Sequence, residues 1–173
     1  MMLNGERLFS LLLPGGGHSP RKYDRGVLVI FLLPLLVSAC SVTTKVRSMF
    51  GGDIPFYVTV SSDANENSAV AVDLIVVYDK NVLEQLMKLR AAEWFAQKRQ
   101  FMNDHRGDVD VQGWEWIPSQ VVAPQSIAYR SGARKVVVFA DYASDGVHRA
   151  AVDPQQSFHL LLDTLDLNVK VAQ

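Results

Sequence analysis

The sequence has a single cysteine, Cys40, among 173 residues. No disulfide framework and no thiolate metal site can form within one chain of this kind. His105, His148 and His159 lie in separate segments with no HxxxH or HxH spacing, so the sequence offers no local histidine metal site. There is no GxSxG elbow and no GxGxxG or GxxxxGK[ST] loop. Lysine and arginine number 17 against 18 aspartates and glutamates, with no basic stripe, which argues against nucleic acid as a partner. No apolar run reaches the roughly 20 residues that a stable membrane-spanning helix needs. Together these absences predict a protein that is not an enzyme and needs neither metal nor cofactor.

The cysteine itself sits in "FLLPLLVSACS", Phe31 to Ser41. Arg21, Lys22 and Arg25 form a positive flank, Val27 to Val37 is an apolar run interrupted only by Pro34, and Ser38 and Ala39 are small. This is the pattern of an export signal. Val37, Ser38, Ala39 and Cys40 are similar to the lipobox of bacterial lipoproteins. That resemblance implies diacylation of the Cys40 sulfur and cleavage just before it. Two or three acyl chains on one residue would hold the protein on a membrane almost permanently, since each buried methylene contributes about 0.8 kcal/mol. Ser41, where an inner-membrane retention signal would have aspartate, implies sorting to the outer membrane, facing the periplasm. An uncleaved anchor or a free thiol is the alternative for Cys40.

Residues 1–39 are therefore expected to be a signal peptide of the lipoprotein type, 40–54 a lipidated tether, and 55–173 one domain. Four of the 17 basic and two of the 18 acidic residues precede Cys40, which leaves 13 against 16 in the mature chain. The "IPFYVTVSS" segment alternates as a strand, and "AVAVDLIVVYD" reads as a second, buried strand in which Asp73 is expected to point outward. "NVLEQLMKLRAAEWFAQKRQF" changes period and predicts one helix, with Asn81 as N-cap and Glu84 completing a capping box. "VDVQGWEWIP", "QSIAYR", "KVVVFADYA", "VHRAAVD" and "SFHLLLDTLDLNVKVA" supply the remaining strands. The expected fold is all-β, an antiparallel β-sandwich with one inserted α-helix; an antiparallel barrel is the alternative.

Three stretches could carry function. Asp108 and Asp110 fit a solvated turn better than a carboxylate pair. Trp114 and Trp116 share one strand face, which suits a core contact, with a binding platform as the other possibility. The polar loop "SSDANENS", Ser61 to Ser68, fits a hydrophilic connection rich in turn formers.

Taken in order, the lipobox, "VTVSSDANENSAVAVDLIVVYD", the helical "EWFAQKRQF" and "KVVVFADYASDGVHRAAV" resemble the TssJ (VasD-like) lipoproteins of type VI secretion systems. The matching pieces are Ser61 to Ser68, Ala69 to Asp79, Glu93 to Phe95, Val136 to Tyr142 and His148 to Val152. The second strand departs from the family ending, keeping only Tyr78, and His148 stands where tryptophan is common. The resemblance implies a transthyretin-like sandwich on the outer membrane. It also implies that Ser62, Asp63, Ala64, Asn65, Glu66 and Asn67 form a loop binding the periplasmic domain of a TssM-type inner-membrane protein, with multiple copies in a ring-like complex. Another periplasm-facing binding lipoprotein, a pilotin or an inhibitor, is the alternative.

Overall fold

A computed structural model of the chain describes residues 51–171. Cys40, the lipobox and most of the tether lie outside these residues. The elements run β1 (Gly52–Val60), β2 (Val70–Val77), α1 (Lys80–Leu86), α2 (Ala91–Asp104), β3 (Val109–Trp116), β4 (Gln125–Tyr129), β5 (Lys135–Asp141), β6 (Arg149–Val152), β7 (Phe158–Leu162) and β8 (Leu167–Val171). β1 begins at Gly52, so the strand takes in residues 52–54, which the sequence had suggested for the tether.

Two four-stranded sheets face each other, one in the order β4-β1-β7-β8 and the other β3-β2-β5-β6. The strict alternation of β1 puts Ile54, Phe56, Val58 and Val60 into the space between the sheets and the intervening residues outside. Val70, Val72, Leu74 and Val76 of β2 meet them from the opposite sheet. Phe56 stacks on Phe158 with ring centroids 5.1 Å apart and takes Trp114 edge-on at 5.4 Å. The all-β sandwich is therefore as the sequence predicts. Every pairing is antiparallel except β1 with β7, which run parallel from Phe56 opposite Phe158 to Val60 opposite Leu162. A parallel pair needs a long crossover; here the whole second sheet, with β4, lies between its two members in the chain.

β2 is buried on both faces because the helices cover its outer side. Ile75, Val77, Val137 and Phe139 pack there against Val82, Leu86 and Trp94. Trp94 lies flat on Phe139 at 5.5 Å. Asp73 does leave the inner core, as expected, but it does not reach solvent: it is 3% exposed beneath α2. Trp94 Nε1 donates to its Oδ2 at 2.8 Å and Lys98 Nζ approaches the same oxygen at 3.0 Å. Gly113 is the residue opposite Asp73 on β3, and a Cβ there would come within 2.5 Å of Asp73 Oδ1. The glycine leaves room for the carboxylate.

The single predicted helix is two. Asp79, not Asn81, caps α1, accepting from the N–H groups of Asn81 at 2.7 Å and Val82 at 3.0 Å; Glu84 instead pairs with Lys80 at 3.5 Å. The break at Met87–Arg90 is imposed from outside the helix. Arg149 Nη1 donates to Leu89 O at 2.5 Å, and Ala91 N–H donates to Val147 O at 3.0 Å. Glu93 then accepts from Arg90 N–H at 2.7 Å, satisfying the next orphan amide. These tertiary partners outcompete continuation of the helix.

Candidate functional site

Strand pairing brings four connections to one end of the sandwich: 61–69 between β1 and β2, 117–124 between β3 and β4, 142–148 between β5 and β6, and 163–166 between β7 and β8. The first is the polar loop singled out in the sequence. Ser61 N–H extends the β1–β7 ladder by donating to Leu162 O at 2.9 Å. Asp63 then accepts from Ser61 Oγ at 2.5 Å and from Thr164 Oγ1 at 2.6 Å. The Ser61 hydroxyl, seconded by Thr164, holds the Asp63 carboxyl below its ordinary value.

Asn65, Glu66 and Asn67 follow with φ of 47°, 52° and 63°. Three successive left-handed residues, none of them glycine, would cost about 1–2 kcal/mol each unless held. They are held. Asn65 is buried, its amide nitrogen donating to Ala69 O at 2.8 Å and its carbonyl oxygen accepting from Ala143 N–H at 2.7 Å. The N–H groups of Asn65 and Glu66 donate to Asp163 O and Thr164 O, each at 3.3 Å. Ser68 N–H closes the turn on Asn65 O at 3.0 Å. Strain of this kind persists only where the surroundings over-determine it.

The six residues expected in the loop therefore divide. Ser62, Asp63, Glu66 and Asn67 face solvent, whereas Ala64 and Asn65 are buried, Ala64 plugging the end of the core and Asn65 tying the loop to its neighbours. Beside the loop, on the outer face of the second sheet, a shallow cleft of about 310 Å³ is bordered by Asn65, Ala69, Ala71, Glu115 and Asp141. Glu115 and Asp141 flank Ala71 on the two adjacent strands.

His148 belongs to this end too, which nothing in its local sequence indicated. It is 5% exposed, with φ of 44°, and its ring lies 5.0 Å from that of Tyr142. Nδ1 is 2.8 Å from Asp166 Oδ1 and Nε2 is 2.8 Å from Ser144 O. It thus pins the β5–β6 connection to the β7–β8 turn. Gly146 makes space for the ring, since a Cβ at that position would collide with the imidazole. The Tyr142 hydroxyl, buried beside it, makes no hydrogen bond of good geometry among the described residues, with the Asp163 backbone its nearest polar company, and burial pushes its ionisation well above the ordinary tyrosine range.

Trp114 and Trp116 do not form a platform. They stack on each other at 5.7 Å and pack into the inner core, Trp116 fully and Trp114 at its margin. Asp110 accepts from Tyr78 Oη at 2.7 Å at the far end of the sandwich, where Arg130 lies 3.7 Å over the Tyr78 ring. Among the described residues no cluster of His, Cys, Asp and Glu side chains could hold a metal ion.

This arrangement of sheets, helices and loops matches solved structures closely enough to compare chain by chain. The T6SS lipoprotein TssJ1 from Pseudomonas aeruginosa superimposes with a TM-score of 0.54 at 11% identity, over 71% of this chain and 98% of that one. Serratia marcescens Lip, a membrane-bound component of the type VI secretion system, gives 0.54 at 10% identity, over 68% and 96%. The fold is that of the TssJ lipoproteins. A structure of the T6SS protein TssM C-terminal domain from EAEC gives a TM-score of 0.50 at 12% identity, over 70% of this chain and 98% of the matched one. No protein-family model and no curated protein matches the sequence.

Proposed function

We propose that this chain is an outer-membrane lipoprotein of a type VI secretion membrane complex. Cys40, acylated and freed by cleavage, anchors it facing the periplasm. The β1–β2 loop binds the periplasmic C-terminal domain of a TssM-type inner-membrane protein. It acts by binding rather than by catalysis, in multiple copies around a ring, so that many modest contacts add to a firm assembly.

The observation that carries this reading is the β1–β2 loop itself. It is held in a strained conformation by hydrogen bonds to its neighbours, with Ser62, Asp63, Glu66 and Asn67 turned outward. A loop ordered in advance loses little conformational freedom on binding. Its position supports the same role. The chain enters the domain at Gly52, the opposite end of β1 from the loop, so the strand alone sets the two about 26 Å apart at roughly 3.3 Å per residue. A lipid at one end and a partner at the other suits a part that must reach away from its membrane.

Capture of the soluble periplasmic part of a TssM-type protein by the full-length lipoprotein tests the reading. The wild type should retain it, and a variant with residues 63–67 replaced by glycine and serine should not; equal capture by both would remove the loop from the account. Anchoring is tested separately. Cys40→Ala should accumulate as unprocessed precursor in the inner membrane, and normal outer-membrane sorting of that variant would refute lipidation.

A further inference from the structure

Eight large hydrophobic side chains stand out as exposed among the described residues, and they are unevenly placed. Five crown the loop end: Ile117 and Val121 in the β3–β4 connection, Val147 between β5 and β6, Leu165 in the β7–β8 turn, and Met87 at the helix junction. Val121 is 96% exposed, Ile117 60% and Leu165 52%, values that loop tips reach only when nothing in their own fold covers them. Tyr57 and Val171 lie level with the middle of β1, and only Met102 on α2 stands toward the tether end.

Charge is segregated in the same way. The four connections carry Asp63, Glu66, Asp145, Asp163 and Asp166, all exposed, and no lysine or arginine. The cations at this end, Lys88, Arg90 and Arg149, gather at the helix junction, where Arg90 is engaged with Gly146 O at 2.9 Å and Asp145 at 3.4 Å and Arg149 donates to Leu89 O at 2.5 Å.

The connections also behave as one body. Ser119 N–H donates to Ser61 O at 3.1 Å, which ties the tips Ile117 and Val121 to the β1–β2 loop. Ser144 Oγ donates to Leu165 O at 2.7 Å, and His148 bridges Asp166 and Ser144 O. Apolar tips on a jointly held base, ringed by exposed carboxylates, have the layout of a protein interface with anchor residues inside a polar rim. The charge selects among occupants. An anionic lipid surface or a second copy of the same end would set like charges against each other. A basic protein surface would not.

We infer that all four connections form one docking surface, in which Ile117, Val121 and Leu165 are the apolar anchors and the partner presents apolar recesses within a basic face. The inference rests on the reading above: the occupant is the same periplasmic domain of a TssM-type protein, and the β1–β2 loop supplies the central hydrogen bonds.

The test measures binding of that domain to the full-length lipoprotein purified in detergent. Ile117→Ser with Val121→Ser should weaken binding by about tenfold or more, and Leu165→Ser by several-fold, as truncation of interface anchors does. The exposed sites leave the fold alone, which an unchanged Tm verifies. Raising salt from about 0.05 to 0.5 M should weaken the wild type several-fold by screening the carboxylates. Anchor variants that bind within about twofold of wild type would overturn this inference while leaving the β1–β2 loop reading intact, with the residue 63–67 replacement still abolishing capture. No binding by the wild type would overturn both. Retention on vesicles of anionic phospholipid that depends on Ile117 and Val121 would assign the surface to a membrane instead.

Discussion

The two faces of the β3-β2-β5-β6 sheet bury side chains by different means. Toward the other sheet, Val70, Val72, Leu74 and Val76 meet a nearly unbroken apolar core, where volume and shape decide the packing. Toward the helices, Ile75 and Phe139 neighbour a carboxylate on the same face, and the position of α2 is set by what Asp73 requires: an indole N–H, an ammonium and a neighbour without a Cβ. The inner face can be repacked by any side chains of similar bulk. The outer face specifies particular atoms, so it fixes where the helices lie.

Substitutions can press on this contrast from both sides. Phe56→Ala should give the largest loss, about 3–5 kcal/mol in denaturant unfolding, because it empties the centre of the apolar face. Trp94→Phe should cost about 1–3 kcal/mol even though the ring stack on Phe139 survives, since Asp73 loses its buried donor. A loss as small as that of a surface substitution would erase the distinction between the faces. Gly113→Ala should cost about 1–3 kcal/mol by crowding Asp73, and Asp73→Ala in the same chain should recover part of it; strict additivity in the double-mutant cycle would argue against direct contact. Smallest is Tyr142→Phe, which removes a buried hydroxyl that makes no hydrogen bond of good geometry among the described residues and should change Tm little.

Acidity offers a different probe. Asp63 is lowered by its hydroxyl donors and Asp79 by the N–H groups it caps, Val82 foremost. Both therefore favour the folded state above the unfolded carboxylate value and lose that contribution as pH falls through their lowered folded values. Thermal stability should decline below about pH 4, and Asp79→Ala should flatten that decline. At the alkaline end Tyr142 has the opposite sense: the folded protein keeps its hydroxyl protonated where the unfolded chain begins to ionise, near pH 10, so stability falls as pH rises beyond that point and Tyr142→Phe should lessen the fall.

Alternation in β1 and the valine-rich run of β2 made most of the sandwich legible before any coordinates, because the burial of those residues follows from strand period alone. The helical region was legible in content but not in its division, since Leu83, Leu86, Trp94 and Phe95 keep period across the break and the groups that impose it, Arg149 and Val147, lie about 60 residues away. The candidate loop was visible from its polarity. That Asn65 turns inward while Glu66 and Asn67 turn outward depends on Ala143 and the 163–166 turn, which no local pattern encodes. The contacts of His148 and the exposure of the tips Ile117, Val121 and Leu165 were invisible for the same reason: they acquire meaning only when four separate segments meet.

β1 has one further consequence. It occupies an inner position in its sheet, with β4 on one side and β7 on the other, and its residue Phe56 faces Phe158 across a separation of about a hundred residues. Any machine that delivers this chain amino-terminus first, whether ribosome or translocon, releases β1 long before its parallel neighbour exists. The first sheet can be completed only after β7, about a hundred residues further on, has emerged, and slow, late closure is the kinetic signature expected of contacts so distant in sequence. Until then β1 can pair only with β4, so one of its two edges stays open through most of the chain's emergence.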